Sequence, residues 1–160
     1  MKKTVVKNKY FKYLFFFGII YYASLRFYKK KGEKMSKIKI FSLGGLNENG
    51  KNMYVVDVDN DIFIFDAGLK YANEKMLGID YIIPDFSYIK DNIKRVKGLF
   101  ITHGHQENYG AAIDIVRELP EINIYTCKFT CDILKREFLN NGIDYKNLHE
   151  IKQYKKNKLW

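Results

Sequence analysis

Phe100-Ile101-Thr102-His103-Gly104-His105-Gln106-Glu107-Asn108 is the stretch whose reading decides the fold. The residues that lead into it, Gly98-Leu99-Phe100-Ile101, form an apolar run of strand length. Tyr109 to Leu119 follows it, with Ala111, Ile113, Ile115 and Val116 in a helical pattern. Two histidines at i and i+2 on leaving a strand point the same way, and Gly104 between them lets the backbone fold tightly. Imidazoles placed like this suit a borderline-soft ion such as zinc. The alternative is two polar residues on a surface turn.

Two other stretches lie in line with this one. Ser42-Leu43-Gly44-Gly45-Leu46-Asn47-Glu48-Asn49-Gly50-Lys51-Asn52-Met53 is a glycine-rich hairpin, and Asp80-Tyr81-Ile82-Ile83-Pro84-Asp85-Phe86-Ser87-Tyr88-Ile89 is an apolar run stopped by proline. His103-Gly104-His105-Gln106-Glu107-Asn108 resembles the His-x-His-x-Asp-His signature of the metallo-β-lactamase fold. The other two stretches resemble the first hairpin of the ribonuclease J family and the stretch before that family's metal motif. The resemblance, to the β-CASP group of metallo-β-lactamase proteins, covers about Ile38 to about Ile151.

The resemblance implies an α/β fold, the first half of a metallo-β-lactamase αββα sandwich. It implies metal-dependent hydrolysis of RNA phosphodiesters, with zinc as the cofactor, two metal sites and RNA as the partner. His103 and His105 match two ligands of one metal. Glu107 stands at the aspartate position and Asn108 at that of the final histidine, both belonging to the second metal. Asp66, in Asp66-Ala67-Gly68, matches an aspartate that supports the metal loop; taken alone the tripeptide also reads as a common turn. Glutamate keeps the charge but moves the carboxylate by roughly an ångström, whereas zinc sites tolerate about ±0.2 Å in ligand distance. Asparagine offers only a neutral amide oxygen. These departures, with only the first half of the fold present, raise three further readings: an inactive or truncated chain with no independent activity, a non-catalytic subunit that pairs with an active ribonuclease J, or another hydrolase of the fold.

Charge makes no case of its own for nucleic acid. The net charge is +10. Residues Met1 to Lys34 hold ten Lys/Arg against one acid, and the rest holds eighteen against seventeen. The basicity therefore sits in the leader. Cys127 and Cys131, four apart in a helical stretch, read as two reduced thiols of a cytoplasmic protein, and Cys-x-x-x-Cys alone is weak evidence for a metal. His149 reads as a surface residue.

Three segments follow: a basic and apolar leader (1–34), a partial metallo-β-lactamase domain (35–152) and a divergent basic tail (153–160). Tyr13 to Leu25 is an uncharged run of thirteen residues, short of the ~20 that span a bilayer as a helix. A membrane-associated leader and a cleaved signal are two readings of it, although Tyr21-Tyr22-Ala23-Ser24 lacks a small-x-small cleavage site. The third is that translation starts at Met35, since Gly32-Glu33 can be encoded by the purine-rich GGAGAA. A mass spectrum of the natural N-terminus separates the three.

Within the domain, alternation predicts strands over Lys37–Leu43 and Asn52–Val58, a turn at Asp59-Asn60-Asp61, and a central strand at Ile62–Phe65, apolar on both faces. Lys70 to Gly78 reads as an irregular loop. A helix capped by Asp85 or Ser87 is expected to run through Val96, followed by the strand before the histidines, the helix to Leu119, a strand over Ile122–Thr126, and a helix over Lys128–Leu139 stopped at Asn140-Asn141-Gly142.

Overall fold

The computed structural model describes residues 36–152. The leader with its Tyr13–Leu25 run, and the tail 153–160, lie outside the described residues. Among those that are described, no helix is long and apolar enough to cross a membrane.

The first hairpin follows its sequence pattern closely. Strands β1 (Ile38–Gly44) and β2 (Met53–Val58) pair antiparallel. A two-residue turn at Asp59-Asn60 returns the chain into β3 (Asp61–Phe65), with Val58 opposite Asp61. Asp59 takes the left-handed conformation that such a turn needs, at φ 56°. Phe41 and Leu43 are the β1 residues that pack on the core, while Ile40 on the other face is 58% exposed.

The 70s loop is less irregular than expected. It contains β4 (Lys70–Tyr71), which pairs with β5 (Tyr81–Ile82) as a small separate sheet. The next helix is shorter than expected. Helix α1 covers only Ser87–Asp91, a 3-10 turn takes Ile93–Arg95, and Val96 already belongs to the strand β6 (Val96–Phe100). Two competing bonds end the helix. The Asn92 side chain donates back to the Tyr88 carbonyl at 2.9 Å, and Val96 pairs with Ile62 of β3. The turn is pinned by Arg95, which donates to the buried Asp57 at 2.5 Å, and Asp57 also accepts from Tyr88 Oη at 2.8 Å.

After the histidines, Tyr109 ends a separate short helix, α2 (Gln106–Tyr109), and the helix expected over Tyr109–Leu119 covers only Ala112–Glu118 (α3). The break falls at Ala111, whose amide donates to Ala67 O at 2.8 Å. Then come β7 (Ile124–Thr126), α4 (Lys128–Asn140) and β8 (Leu148–Glu150). Gly142, at φ 70°, closes α4 as the sequence suggests.

The main sheet has the order β1-β2-β3-β6-β7-β8. Strands β1 to β3 meander antiparallel, and β3, β6, β7 and β8 run parallel. Met53, Val55, Ile62, Ile64, Leu99 and Ile124 face the helices, where Ile89, Ile115, Leu134 and Phe138 complete the core. The other face carries an aromatic row in which Phe65 and Phe100 stack at 5.6 Å, Phe100 and Tyr125 at 5.1 Å, and Tyr125 and His149 at 5.0 Å. An antiparallel meander feeding parallel strands with helices on one face is the expected α/β half-sandwich.

The consequence for the site is where the loops emerge. Asp66 follows β3, His103 follows β6, and α4 follows β7, all at one end of the parallel strands. Residues 66–69 are stitched to both neighbours. Ala67 N donates to Asn108 O at 2.7 Å, Leu69 N to Gln106 O at 3.0 Å, and Gly68 N to Asn52 O at 2.9 Å. The approach is so close that a methyl group on Gly68 would lie 1.7 Å from Glu107 O. Gly68→Ala therefore lowers unfolding stability by about 1–3 kcal/mol or more in urea denaturation, because backbone has to move. An unchanged midpoint would contradict this stitching.

Candidate functional site

The site begins with a buried carboxylate. Asp66 is 2% exposed and sits at φ 63°, a conformation a non-glycine residue adopts only when its surroundings enforce it. Its amide donates to Phe100 O at 2.9 Å, which ties it to the end of β6. Its side chain accepts from Thr102 N at 2.8 Å, Thr102 Oγ1 at 3.1 Å and Asn108 Nδ2 at 2.6 Å. Three donors converging on one carboxylate favour its ionised form and offset the cost of burying it.

Thr102 continues outward to the histidines. Its Oγ1 lies 2.9 Å from His103 Nδ1, and His103 Nε2 lies 3.2 Å from His105 Nδ1. The two rings meet at 71°, with centroids 4.7 Å apart. His105 is in extended conformation at the start of α2, and its carbonyl accepts from Asn108 N and Tyr109 N. Gly104 rests on the first turns of α4, where an added methyl group would meet Ile133 Cδ1 at 2.7 Å and Phe129 Cε1 at 3.4 Å. The strand exit thus does what the i, i+2 spacing suggests: it brings both imidazoles to one point.

The separation of the two ring nitrogens tests whether a metal fits. A tetrahedral zinc with bonds of about 2.0–2.1 Å separates its ligand nitrogens by about 3.3–3.4 Å. The observed 3.2 Å is nearly that edge. The pair therefore offers two donors at the spacing of two ligands of one metal, and no third His, Cys, Asp or Glu joins them among the described residues.

Glu107 and Asn108 behave differently. Asn108 is 3% exposed. Asp66 can only accept, so the atom 2.6 Å from it must be the amide nitrogen, and Asn108 Oδ1 faces Asn52 Nδ2 at 3.5 Å. Its amide is committed to this pairing and points its donor end at the carboxylate. The half-buried Glu107 side chain makes no hydrogen bond or ion pair among the described residues, and its carbonyl accepts from Asn52 N at 3.1 Å. Among the described residues no three His, Cys, Asp or Glu side chains come together in a way that could hold a metal. The residues at the second position do not fit a metal ion.

Thr102 and Asn52 were not singled out in the sequence. Thr102 is adjacent to the histidines, and its role was visible only once Asp66 was placed beside it. Asn52 had no local signal. The remaining candidates stay away from the site. His149 is exposed in β8 and pairs with Asn123 Oδ1 at 2.9 Å. Cys127 and Cys131 are free thiols, and burial pushes the Cys131 thiol up to about 11.

Comparison with known proteins bears on the family. The family model described as the Metallo-beta-lactamase superfamily matches residues 46–138. The chain belongs to the metallo-β-lactamase superfamily. Within it, the chain is 41% identical over 122 residues to Ribonuclease J2 of Bacillus subtilis (strain 168), which is 76% of this chain and 22% of that protein. To Ribonuclease J 2 of Staphylococcus aureus (strain MRSA252) it is 41% identical over 114 residues, 71% and 20% of the two chains. It therefore spans about a fifth of the length of the curated relatives it matches. The short form of human tRNase Z aligns over 72% of this chain and 44% of its own at a TM-score of 0.47 and 17% identity. The superfamily membership and the ribonuclease J likeness read from the three stretches are both borne out.

The Asp66–Asn108 contact yields a direct prediction. Asn108→Asp sets two carboxylates against each other, so one keeps its proton in the folded state to higher pH than in the unfolded chain. The folded state then binds more protons, and the variant loses stability relative to wild type as pH rises from about 4 to 7, by about 3 kcal/mol for a rise of about two pKa units. Denaturation at several pH values measures this. Parallel curves for variant and wild type would show that Asn108 does not touch Asp66.

Proposed function

We propose that this is a ribonuclease J-like chain of the metal-dependent RNA phosphodiester hydrolase type, whose own metal loop is reduced to one zinc site and does not cleave RNA by itself. The observation that carries this reading is the pair of contacts around the loop. His103 Nε2 and His105 Nδ1 stand at the spacing of a zinc tetrahedron edge, while Asn108 is turned onto Asp66.

His103 and His105 would hold the zinc, and Asp66 would hold the loop. When bound, the metal supplies Lewis-acid polarisation of a phosphoryl oxygen. The chain's own residues orient the imidazoles, through Thr102, and close the second position with an amide. Glu107 carries a carboxylate near the loop without joining the histidine pair. Two imidazoles leave two positions of a tetrahedral zinc for other donors, so affinity is modest. Asp66 and Thr102 together act as the supporting shell that metal histidines generally need. RNA as substrate class is supported by the ribonuclease J relatives. The globular part has nearly balanced charge and adds no electrostatic pull toward a polyanion. A cytoplasmic location is supported by the two unpaired thiols.

A second reading is favoured by Asn108. A side chain that replaces a ligand and is itself buried and paired maintains the loop without maintaining chemistry. That suits a non-catalytic subunit that assembles with an active ribonuclease J. Co-purification with such a subunit, against its loss on disrupting the sheet, would support this reading.

Isothermal titration of the chain with zinc tests the main reading. The expected stoichiometry is at most one zinc per chain, lost in His103→Ala, with no cleavage of labelled RNA by the zinc-loaded chain. Two tightly held metals per chain, or metal-dependent cleavage, would contradict it.

A further inference from the structure

We infer that Thr102 is a positioning residue that selects the tautomer of His103, presenting the Nε2 lone pair to the neighbouring His105 and to a metal. The metal half of this inference rests on the zinc reading above. The tautomer half rests on hydrogen-bond geometry alone.

The protons can be counted from Asp66 outward. Its carboxylate takes the Thr102 main-chain N–H on Oδ1 at 2.8 Å. It also takes the Thr102 hydroxyl on Oδ2 at 3.1 Å, beside the Asn108 amide at 2.6 Å. An ionised carboxylate with three donors has no proton to give. Thr102 Oγ1 has a single hydrogen, and that hydrogen points to Asp66. Toward His103 Nδ1, 2.9 Å away, the hydroxyl oxygen can only accept. His103 therefore carries its proton on Nδ1, and in the neutral ring Nε2 is the lone-pair nitrogen.

That nitrogen is the one 3.2 Å from His105 Nδ1. In the metal-free chain His105 donates its Nδ1 proton to His103 Nε2. For both rings to hold a metal, His105 would give up its Nδ1 proton and carry one on Nε2 instead, exchanged through solvent, whereas His103 would need no change of tautomer.

The arrangement works against the ring's own preference. A neutral imidazole side chain in water favours the proton on Nε2, which would turn an N–H toward His105 and block ligation. The relay Asp66–Thr102–His103 reverses that preference with one hydroxyl. Thr102 is clamped at both its amide and its hydroxyl by the same buried carboxylate, so the hydroxyl is not free to rotate away. The effect is that of the carboxylate–histidine pairs that support metal ligands elsewhere, with a hydroxyl inserted between the two groups.

Nitrogen-detected NMR of the ¹⁵N-labelled full chain tests this without metal, at a pH above the imidazole range. In wild type and in Thr102→Ser, His103 is expected to show a protonated Nδ1 and a lone-pair Nε2. Thr102→Val keeps the shape and the main-chain bond to Asp66 but removes the hydroxyl, and it is expected to shift His103 toward the Nε2–H form. Zinc titrated into the same three proteins should bind Thr102→Val about 10–100-fold more weakly than wild type, with Thr102→Ser restoring affinity. An Nε2–H tautomer in wild type overturns the inference outright, even if Thr102→Val does not fold. The same tautomer and the same zinc affinity in Thr102→Val also overturn it. Absence of zinc binding to wild type would overturn the metal reading, while the tautomer spectra would still decide what Thr102 does.

Discussion

A buried aspartate holds this site together. Removing a carboxylate from water costs several kcal/mol unless donors replace the lost hydration. Asp66 is supplied with donors by Thr102 and Asn108 and is held in a left-handed backbone conformation by its amide bond to Phe100 O. Each partner comes from the segment that carries the histidines. The loop after β3 and the loop after β6 are therefore one unit, and neither can move without leaving a charge buried and unpaired. Gly68 makes the same point sterically, since only a residue without a side chain fits against Glu107 O.

The fold supplies this geometry through its parallel strands. Strands β3, β6 and β7 end side by side, which places Asp66, the histidine loop and the first turn of α4 together at one edge. Ligand sites of open α/β sheets favour this edge, because loops leaving parallel strands converge there. The apolar registers that build the core also aim the chemistry: Ile64 opposite Leu99, and Leu99 opposite Ile124, hold the three strand ends level. Rigid scaffolding beneath short loops gives fixed side-chain positions. That is why two histidines on a loop keep a defined 3.2 Å nitrogen separation.

Much of this was legible in the residues. Period-two alternation marked β1 and β2, Asp59-Asn60 marked their return, and the all-apolar Ile62–Phe65 run marked a central strand. The His-x-His pair at a strand exit announced two converging imidazoles, and Asp66 was recognisable beside them. What was not legible depended on tertiary competition. Ile89 and Ile93 suggest one helix, but pairing of Val96 with Ile62 and the Asn92 side chain cut it short. Ala111 looks like any helix residue until Ala67 O captures its amide. Asn108 reads from sequence only as a missing ligand. Its positive role, donating to Asp66, required a partner 42 positions away. Thr102 and Asn52 belong to the same class, being ordinary polar residues whose meaning lies in what the fold sets against them.

Exchanging an imidazole for an amide changes what the loop can do while keeping what holds it in shape. A histidine at position 108 would bring a nitrogen for a metal; asparagine brings a donor for Asp66 and needs no metal to be satisfied. On the proposed reading the loop is stable empty, and a single ion is expected at the histidine pair. Crystals of the zinc-soaked chain, with diffraction collected at the zinc absorption edge, test this most directly. The predicted result is a single anomalous peak within bonding distance of His103 Nε2 and His105 Nδ1, with the Asn108 amide still on Asp66. A second peak ligated by Asp66, Glu107 or Asn108 would contradict it.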